Sequence, residues 1–296
     1  MNGVCLKHLP IASAEKTEQI LHKLHLKPSK SRGQNFLISG QTAEMIIQTA
    51  QLKKDSNVLE IGSGLGALSE GLAHIAGSLT LLELDSRLCL HLQRLFAVAP
   101  HIRVENADAL NYNYEEHAAK RGWHKYHIVG NLPYYITSPI LRRLLLTGGP
   151  WQSMTLMMQK EVAEKLIMDP AGEGGPLALL LHYFGSARLV FTVPPEDFFP
   201  APEVQSAVLH MERWAKQPFA LDDTTAFERF LNAAFSQRRK TLVNSLSNVL
   251  GGDKAQWQAA LKACDIAENR RAEQLTLHEF GAIYDLARVR EMINQI

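Results

Sequence analysis

From residue 57 to residue 211, short apolar segments typical of β-strands alternate with amphipathic segments typical of helices. The alternation predicts a mainly parallel sheet covered by helices on both faces, since parallel neighbours require a crossover connection. The last two strands are joined by VPPEDFFPAPEV, which has no helical pattern, so we expect an antiparallel hairpin at one edge of a mixed α/β sheet. The predicted strands are 57–61, 79–84, 101–105, 126–130, 153–159, 188–193 and 205–211.

Helical patterns on either side of this region divide the chain. A short amphipathic helix is predicted at 13–26, within a basic N-terminal arm of residues 1–37. Beyond residue 213 only helical patterns remain, and Pro218 interrupts any continuation of the last strand. We therefore expect an α/β domain at 38–212 and a small all-helical domain at 213–296. The other predicted helices are 41–52, 66–76, 86–97, 137–146, 160–168, 223–235, 237–250, 254–263, 271–274 and 276–289.

The charge distribution restricts the kind of partner. The net charge of +1 creates no overall basic field, but the first 37 residues hold six Lys or Arg against two Glu. Basic clusters recur at 142–143, 238–240 and 270–271. Local patches of this kind suit a polyanionic partner.

The cysteines predict neither a disulfide nor a metal site. The three cysteines, Cys5, Cys89 and Cys264, are far apart and form no ligand-spaced pair, which favours reduced thiols in a cytoplasmic protein.

The N-terminus lacks the apolar core of a signal peptide, and no apolar run approaches the roughly 18 residues that a membrane span needs. We expect no membrane association.

The segment NVLEIGSGLGALSEGLA (57–73) combines a strand, a glycine-rich turn and the start of a helix. Gly62 and Gly64 let the backbone approach a ligand at the helix N-terminus, and Glu83, ending the next strand, is placed to accept ribose hydroxyl hydrogens. The pattern fits either a nicotinamide dinucleotide or S-adenosylmethionine (SAM). Glu60 favours SAM, because a carboxylate repels a pyrophosphate but attracts the sulfonium and ammonium groups of SAM.

Two further polar residues follow predicted strands. Asp108 comes after the third strand and is suited to accept a hydrogen bond from an adenine amino group, although an Asp in such a place is often a helix cap. Asn131 follows the fourth strand, so we expect it at the carboxyl edge of the sheet, where α/β proteins bind ligands.

The sequence Asn131-Leu132-Pro133-Tyr134 predicts a site for an aromatic amine. The lone pair of such an amine is delocalised into its ring. The side-chain oxygen of Asn131 and the main-chain oxygen of Leu132 can accept the two amine hydrogens and direct the lone pair outward. Pro133 stiffens the loop, and Tyr134 offers a flat face on which a base can stack. Catalysis would then rest on placement rather than on a strong base.

Together these motifs resemble the ribosomal RNA adenine dimethyltransferases, in particular their small-subunit members. The resemblance runs nearly from end to end, and the order of the blocks is more specific than any single block. The blocks are GQNFL (33–37), LEIGSGLGALSEGL (59–72), LLELD (81–85), NADAL (106–110), GNLPYYITSPIL (130–141), MMQKEVAEKL (157–166), FFPAPEVQSAV (198–208), FSQRRKTLVNSL (235–246) and RRAEQLTLHEF (270–280).

The resemblance implies a Rossmann-like SAM-dependent methyltransferase, with S-adenosylhomocysteine as product. It implies dimethylation at N6 of two adjacent adenosines near the 3′ end of 16S rRNA, in the 30S subunit or its precursor, as a step of ribosome biogenesis. It also implies a monomer. It adds Gln34, Asn35 and Leu37 to the cofactor-binding residues, and Phe198 as a second aromatic residue that, with Tyr134, holds the extruded base.

Arg238, Arg239 and Lys240 are predicted to contact RNA. We expect Ser236 to cap a helix whose first turn carries these cations, an arrangement that is unfavourable for the helix dipole unless phosphates neutralise it. Pairing of the arginines with acidic residues of the neighbouring domain is the alternative.

Several functions remain open on the sequence alone. They are 23S rRNA N6-methylation of the macrolide-resistance type, DNA adenine methylation, a non-catalytic ribosome-assembly factor and a nicotinamide oxidoreductase. Leu132 and the full helical domain favour the small-subunit enzyme, and the intact Asn131 argues against lost activity. Ser39, Ser63 and Tyr135 depart from the family pattern, and Tyr135 lies beside the expected pocket.

Overall fold

The computed structural model of the chain describes residues 11–29, 33–168 and 174–289. Parts of several predicted segments lie outside the described residues. They are residues 1–10 of the basic arm (with Cys5), residues 30–32 of the same arm, and residues 290–296 of the helical domain.

The chain divides into two compact units. The first consists of the residues up to Ala163 together with Arg188–Arg213. The second consists of Glu164–Ala187 together with the residues from Trp214 onward. The second unit thus contains a segment that the sequence-based boundary near residue 213 assigns to the α/β domain.

The first unit contains a mixed sheet in the order β4-β3-β2-β5-β6-β9-β7. The pairs β4/β3, β3/β2, β2/β5 and β5/β6 are parallel, whereas β9 pairs antiparallel with β6. The predicted mixed seven-stranded sheet is therefore confirmed, with β7 at its edge. The strands are β2 (Asn57–Ile61), β3 (Ser78–Glu83), β4 (Ile102–Asn106), β5 (Tyr126–Asn131), β6 (Trp151–Gln159), β7 (Gly185–Val193) and β9 (Ser206–Arg213).

A second, two-stranded sheet escapes prediction because each strand has only two residues. β1 (Phe36–Leu37) pairs antiparallel with β8 (Phe198–Phe199), and Leu37 lies opposite Phe198. This pairing fixes the segment that follows the N-terminal helix beside the main sheet's ligand-binding edge.

Among the described residues, six helices of the first unit accompany the sheet, and one of them was not predicted from the sequence. Its sequence, YEEHAAKR, buries only three side chains, so its apolar periodicity is weak. The local signal is Asn113, whose side chain accepts the Glu116 N–H at 3.0 Å as an N-cap. The helices are α1 (Ala14–Lys23), α2 (Gly40–Thr49), α3 (Ser69–Ile75), α4 (Ser86–Leu95), α5 (Tyr114–Arg121) and α6 (Thr137–Thr147); α7 (Lys160–Ile167) crosses the boundary between the units.

The second unit is helical. Its α8 (Gly175–Phe184) is apolar almost throughout, and the Tyr183 ring packs against Phe219 and Phe227, with ring centroids 5.2 and 6.0 Å apart. These contacts explain why this helix groups with the C-terminal helices. The others are α9 (Thr224–Ala234), α10 (Leu242–Leu250), α11 (Lys254–Ala263) and α12 (Leu277–Val289), with a 3₁₀ turn at Ala272–Gln274.

The expectation that Ser236 caps a helix starting at 237 is wrong. The Ser236 hydroxyl donates to the Ala233 carbonyl at 2.7 Å, at the C-terminal end of α9. Thr241 is the N-cap of α10, because its hydroxyl accepts the Asn244 N–H. Residues 238–240 therefore form a turn ahead of the helix, not its first turn.

Candidate cofactor and substrate site

The register of the parallel strands gathers the predicted polar residues at one edge of the sheet. Ile61 lies opposite both Leu82 and Gly130, and Glu83 lies opposite Asn106. The carboxyl ends of four neighbouring strands are thus level. A ligand at this edge meets residues from each of them.

The glycine loop after β2 turns sharply beneath this edge. Gly62 has φ +73°, and a Cβ atom there would lie 3.3 Å from the Asn131 carbonyl oxygen. A side chain would strain the turn and fill the space between the loop and β5. The N–H of Gly64 donates to Glu83 Oε2 at 2.8 Å, which holds the loop against the end of β3.

Glu83 is fixed at the end of β3. Its side chain is buried, and its other oxygen, Oε1, accepts the Asp85 N–H at 2.9 Å. Burial raises the pKa of the Glu83 carboxyl, and the two backbone donors partly oppose this shift. Each oxygen retains a second lone pair, so the group can still accept hydrogen bonds from a ribose.

Glu60 is the more deeply buried carboxyl group, 1% exposed. Burial raises its pKa to about 8; the Ser69 hydroxyl, which donates to Oε2 at 2.6 Å, acts in the opposite direction, and the charge of Glu83 adds to the rise. At neutral pH most molecules therefore hold Glu60 protonated. A cationic ligand beside it would favour ionisation.

Asp108 lies two residues beyond β4 and is part of a local turn. Its Oδ1 accepts the Leu110 N–H at 2.9 Å, and its Oδ2 accepts from Asn111 Nδ2 at 2.7 Å. It caps no helix, because the N-cap of α5 is Asn113. The carboxylate is held in place at the cavity wall.

Asn131 and Leu132 present two carbonyl oxygens at the end of β5. Asn131 Nδ2 donates to the Asn35 carbonyl at 3.1 Å, which leaves Oδ1 as the acceptor of this amide. The N–H of Leu132 donates to the Met157 carbonyl at 2.9 Å. Within the described residues, the structure records no donor to the Leu132 carbonyl oxygen.

The next two residues are held by the loop itself. Pro133 has φ −60° and ψ 129°, and its carbonyl accepts from Ile136 N–H and from the Thr137 hydroxyl, at 3.1 and 3.0 Å. The Tyr134 hydroxyl is hydrogen-bonded to Ser206 Oγ at 2.5 Å. Burial raises the pKa of Tyr134, so the phenol stays neutral near pH 7.

One cavity brings these residues together. Every residue predicted to bind the cofactor lines it, and so do the loop residues 131–134. Those cofactor residues are Gln34, Asn35, Leu37, Gly62, Gly64, Glu83, Asp108 and Asn131.

Phe198 is not brought into this cavity. It is 2% exposed, belongs to the apolar core and pairs with Leu37 across the small sheet. It is not among the described residues that line the cavity.

The charge of the cavity decides between the two ligands that the glycine loop allowed. Its lining contains the carboxyl groups of Glu60, Glu83, Asp85 and Asp108, and among the described lining residues there is no Lys, Arg or His. Such a wall disfavours a pyrophosphate and suits the sulfonium and ammonium groups of SAM. The residues present therefore fit SAM.

Three residues of this site were missed. Phe36 covers the loop, since a Cβ at Gly64 would lie 3.4 Å from its ring. Ser69 donates to Glu60, and Asp85 both lines the cavity and caps α4. Ser69 and Asp85 had a signal in the sequence: each is a polar residue at the start of a helix that follows a strand of the predicted sheet.

The second unit carries the predicted basic cluster. Arg238, Arg239 and Lys240, here called the cation cluster, are all exposed. Within the described part of the chain none of the three forms an ion pair. The alternative that acidic residues neutralise them finds no support among those residues.

The described part of the chain carries neither a membrane span nor a metal-binding cluster. No helix there combines the length and apolar character of a membrane span. No group of three or more His, Cys, Asp or Glu side chains is arranged there to hold a metal ion. Neither Cys89 nor Cys264 forms a disulfide.

The lining of the cavity is that expected of a SAM-dependent methyltransferase. The chain matches the model of the ribosomal RNA adenine dimethylase family over residues 25–288, and it belongs to that family. It is a SAM-dependent rRNA adenine dimethyltransferase. The predicted family, enzyme class and cofactor are thereby confirmed, and the nicotinamide alternative is excluded.

Relatives of the chain agree with this assignment, and a solved structure shares its fold. The ribosomal RNA small subunit methyltransferase A of Latilactobacillus sakei subsp. sakei (strain 23K) is 38% identical over 281 residues, 93% of this chain and 95% of that protein. The protein of the same name from Geobacillus sp. (strain WCH70) is 37% identical, over 92% of this chain and 96% of its own length. A dimethyladenosine transferase from Plasmodium falciparum shares the fold, with a TM-score of 0.74 at 22% identity over 86% of this chain and 98% of that chain.

Proposed function

We propose that the chain dimethylates N6 of two adjacent adenosines near the 3′ end of 16S rRNA, in the small ribosomal subunit or its precursor, as a step of ribosome biogenesis. The support is that its relatives, which are 38% and 37% identical over nearly their whole length, are ribosomal RNA small subunit methyltransferases. The 23S rRNA methyltransferase ErmE is 25% identical, with a TM-score of 0.64 over 88% of this chain and 100% of that chain, so a large-subunit substrate is the second candidate.

The cofactor side of this site would hold SAM as follows. Glu83 accepts the ribose hydroxyl hydrogens, Asp108 accepts from the adenine amino group, and the loop of Gly62 and Gly64 lies along the methionine part. Gln34, Asn35 and Leu37 close the cavity from the N-terminal segment. When bound, SAM supplies an electrophilic methyl group and leaves as S-adenosylhomocysteine.

The observation that carries the catalytic proposal is the pair of available carbonyl oxygens. Asn131 Oδ1 and the Leu132 carbonyl oxygen accept the two N6 hydrogens of the adenine, which draws the nitrogen toward tetrahedral geometry. With SAM bound, the nitrogen would attack the methyl carbon from the lone-pair side as the bond from that carbon to sulfur breaks, and the proton would leave to water only after the amine had become cationic. No basic side chain is needed at the nitrogen, and none of the described lining residues is His or Lys.

Stacking completes the placement of the base. The adenine must leave its helix for its amino group to reach the cavity. Tyr134, held by Ser206, presents an aromatic face at that point. The predicted contact of the base with Phe198 is left out of this proposal, because that ring is packed in the core.

The substrate is tested by methyl transfer from labelled SAM to ribosomal subunits prepared from a strain that lacks this gene. We expect label only in small-subunit rRNA, and nuclease digestion should release N6,N6-dimethyladenosine from two adjacent positions. Label only in 23S rRNA would select the second candidate. Binding of subunits without any transfer would indicate a non-catalytic assembly factor.

The cation cluster is the proposed RNA contact of the helical unit. Replacing its three residues by Ala should weaken subunit binding and reduce the slope of log affinity against log salt by about 2, since each lost phosphate contact contributes about 0.7 to 0.9. The matched control removes the same charge from exposed positions of the same unit, Arg229, Lys254 and Lys262. Equal losses in the two triple variants would refute a specific role for the cluster.

A further inference from the structure

The two consecutive tyrosines after Pro133 stand in different surroundings. The hydroxyl of Tyr134 is tied to Ser206 at 2.5 Å. The side chain of Tyr135 is 54% exposed, although it lines the same cavity. Among the described lining residues, Tyr135 is the aromatic side chain most open to solvent.

Tyr135 is seated against the N-terminal segment. A Cβ atom at Gly33 would lie 3.2 Å from Tyr135 Cδ1 and 3.8 Å from the Tyr134 backbone nitrogen. Gly33 also has φ +56°, a conformation that other residues rarely adopt. One side of the ring therefore rests on backbone that carries no side chain, and the rest of the ring faces outward.

An exposed ring at this place meets a specific need of the reaction. Extruding one adenine removes a stacking partner from the nucleotides beside it. Aromatic side chains replace such stacking for any base, since every base has a π-face. Tyr134 is already assigned to the adenine inside the cavity, and Phe198 is 2% exposed, so Tyr135 is the aromatic group available at the opening.

We propose that Tyr135 is a substrate-positioning residue whose exposed ring stacks on the nucleobase adjacent to the adenine that enters the cavity. The inference rests on the proposed function, in which that adjacent base is the second target adenosine. Tyr135 would thus hold the second adenosine at the opening while the first is methylated. The hydroxyl group plays no part, so the aromatic ring alone should suffice.

The test compares Tyr135→Ala and Tyr135→Phe in methyl transfer to unmethylated small subunits. Loss of one stacked base should raise the KM for subunits about tenfold in Tyr135→Ala and leave it near wild type in Tyr135→Phe. The affinity for SAM in the absence of RNA should change less than twofold in both. Leu90→Ala is the matched control, because Leu90 is 46% exposed on α4 and is not among the residues that line the cavity.

A base substitution identifies the partner of the ring. In one set of subunits the adjacent adenosine is replaced by uridine, which stacks more weakly. The wild-type enzyme should methylate the remaining adenosine of these subunits with a raised KM. Tyr135→Ala should show no additional loss on them. If the effects of the uridine and of Tyr135→Ala on KM multiply, the proposal is overturned. It is also overturned if Tyr135→Ala leaves the KM for subunits unchanged, or if the variant loses as much affinity for SAM as for subunits. Failure of the wild-type enzyme to methylate 16S rRNA would instead refute the proposed function.

Discussion

The cavity has two sides that hold their polar groups by different means. On the cofactor side, Glu60 and Glu83 are buried carboxyl groups, each anchored by a donor from its own unit, Ser69 Oγ at 2.6 Å and Gly64 N at 2.8 Å. On the amine side, Asn131 and Leu132 offer neutral carbonyl oxygens, anchored through the groups that do not face a ligand. The cofactor side carries carboxyl groups that can ionise, and the amine side carries none.

Because the two sides differ in this way, the cofactor side should determine SAM binding and the amine side should determine the rate of methyl transfer. A cation is attracted by buried carboxylates, because low dielectric strengthens the interaction. An uncharged aromatic amine gains little from a carboxylate, but it reacts faster when two fixed acceptors orient its lone pair. Substitutions on the amine side should therefore lower kcat, and substitutions on the cofactor side should lower the affinity for SAM.

Asn131→Ala should give the largest effect. Removing one of the two acceptors, together with the hydrogen bond to Asn35, should reduce kcat by about 10² to 10⁴, as expected when a placed polar group is lost. The affinity for SAM, measured by calorimetry without RNA, should change only a few-fold. The matched control is Asn57→Ala, which also removes a hydrogen bond from a side-chain amide to a backbone carbonyl, 3.1 Å to Lys125, at the opposite end of β2. An unchanged kcat in Asn131→Ala would end the proposed role of this amide.

Glu83→Ala should weaken SAM binding about 100-fold. The change removes the ribose acceptor and the carboxylate that holds the Gly64 and Asp85 N–H groups, and hydrogen bonds to charged groups contribute about 1.5–3 kcal/mol each. At saturating SAM the kcat should remain within a few-fold of wild type. The control is Glu116→Ala, an exposed glutamate of α5, with circular dichroism to establish folding of both variants. A loss of kcat without a loss of SAM affinity would contradict the division between the two sides.

Much of the fold could be predicted from the sequence because its strands are short, apolar and regularly separated by helical patterns. The level strand ends followed from the parallel topology, and they explain why Glu83, Asp108 and Asn131 were expected at one edge. Contacts between distant segments could not be predicted in this way. The pairing of Phe36–Leu37 with Phe198–Phe199 has no periodic pattern, and it is this pairing that buries Phe198.

Helix caps and other short-range sequence patterns predicted some elements and not others, because tertiary contacts select among them. Ser236 and Thr241 are both suitable N-caps, and only tertiary structure selects Thr241. The polar helix α5 lacks an apolar stripe, so its caps were the only evidence for it. The contact of the Tyr135 ring with Gly33 joins residues about a hundred positions apart, and no local pattern reveals it.

Glu60→Gln should give the smallest effect and the one that reports on charge directly. Because burial raises the pKa of Glu60 to about 8, most molecules without cofactor hold it protonated at pH 7. SAM is attracted by the ionised form, so the ratio of wild-type to Glu60→Gln affinity should rise about fivefold from pH 7 to pH 8, in proportion to the ionised fraction of Glu60. Affinity falls as pH drops, since binding must then expel the proton.

The Gln variant supplies the internal reference for this experiment. It keeps an acceptor for the Ser69 hydroxyl but cannot ionise, and the amino group of SAM titrates equally in both measurements. The ratio of the two pH profiles therefore isolates the effect of Glu60 ionisation on SAM affinity. Calorimetry in buffers of different ionisation enthalpy should also show that SAM binding releases a proton near pH 7 in the wild type only. Parallel profiles would mean that Glu60 stays protonated with SAM bound, leaving Glu83 and Asp108 as the charged groups of the cofactor side.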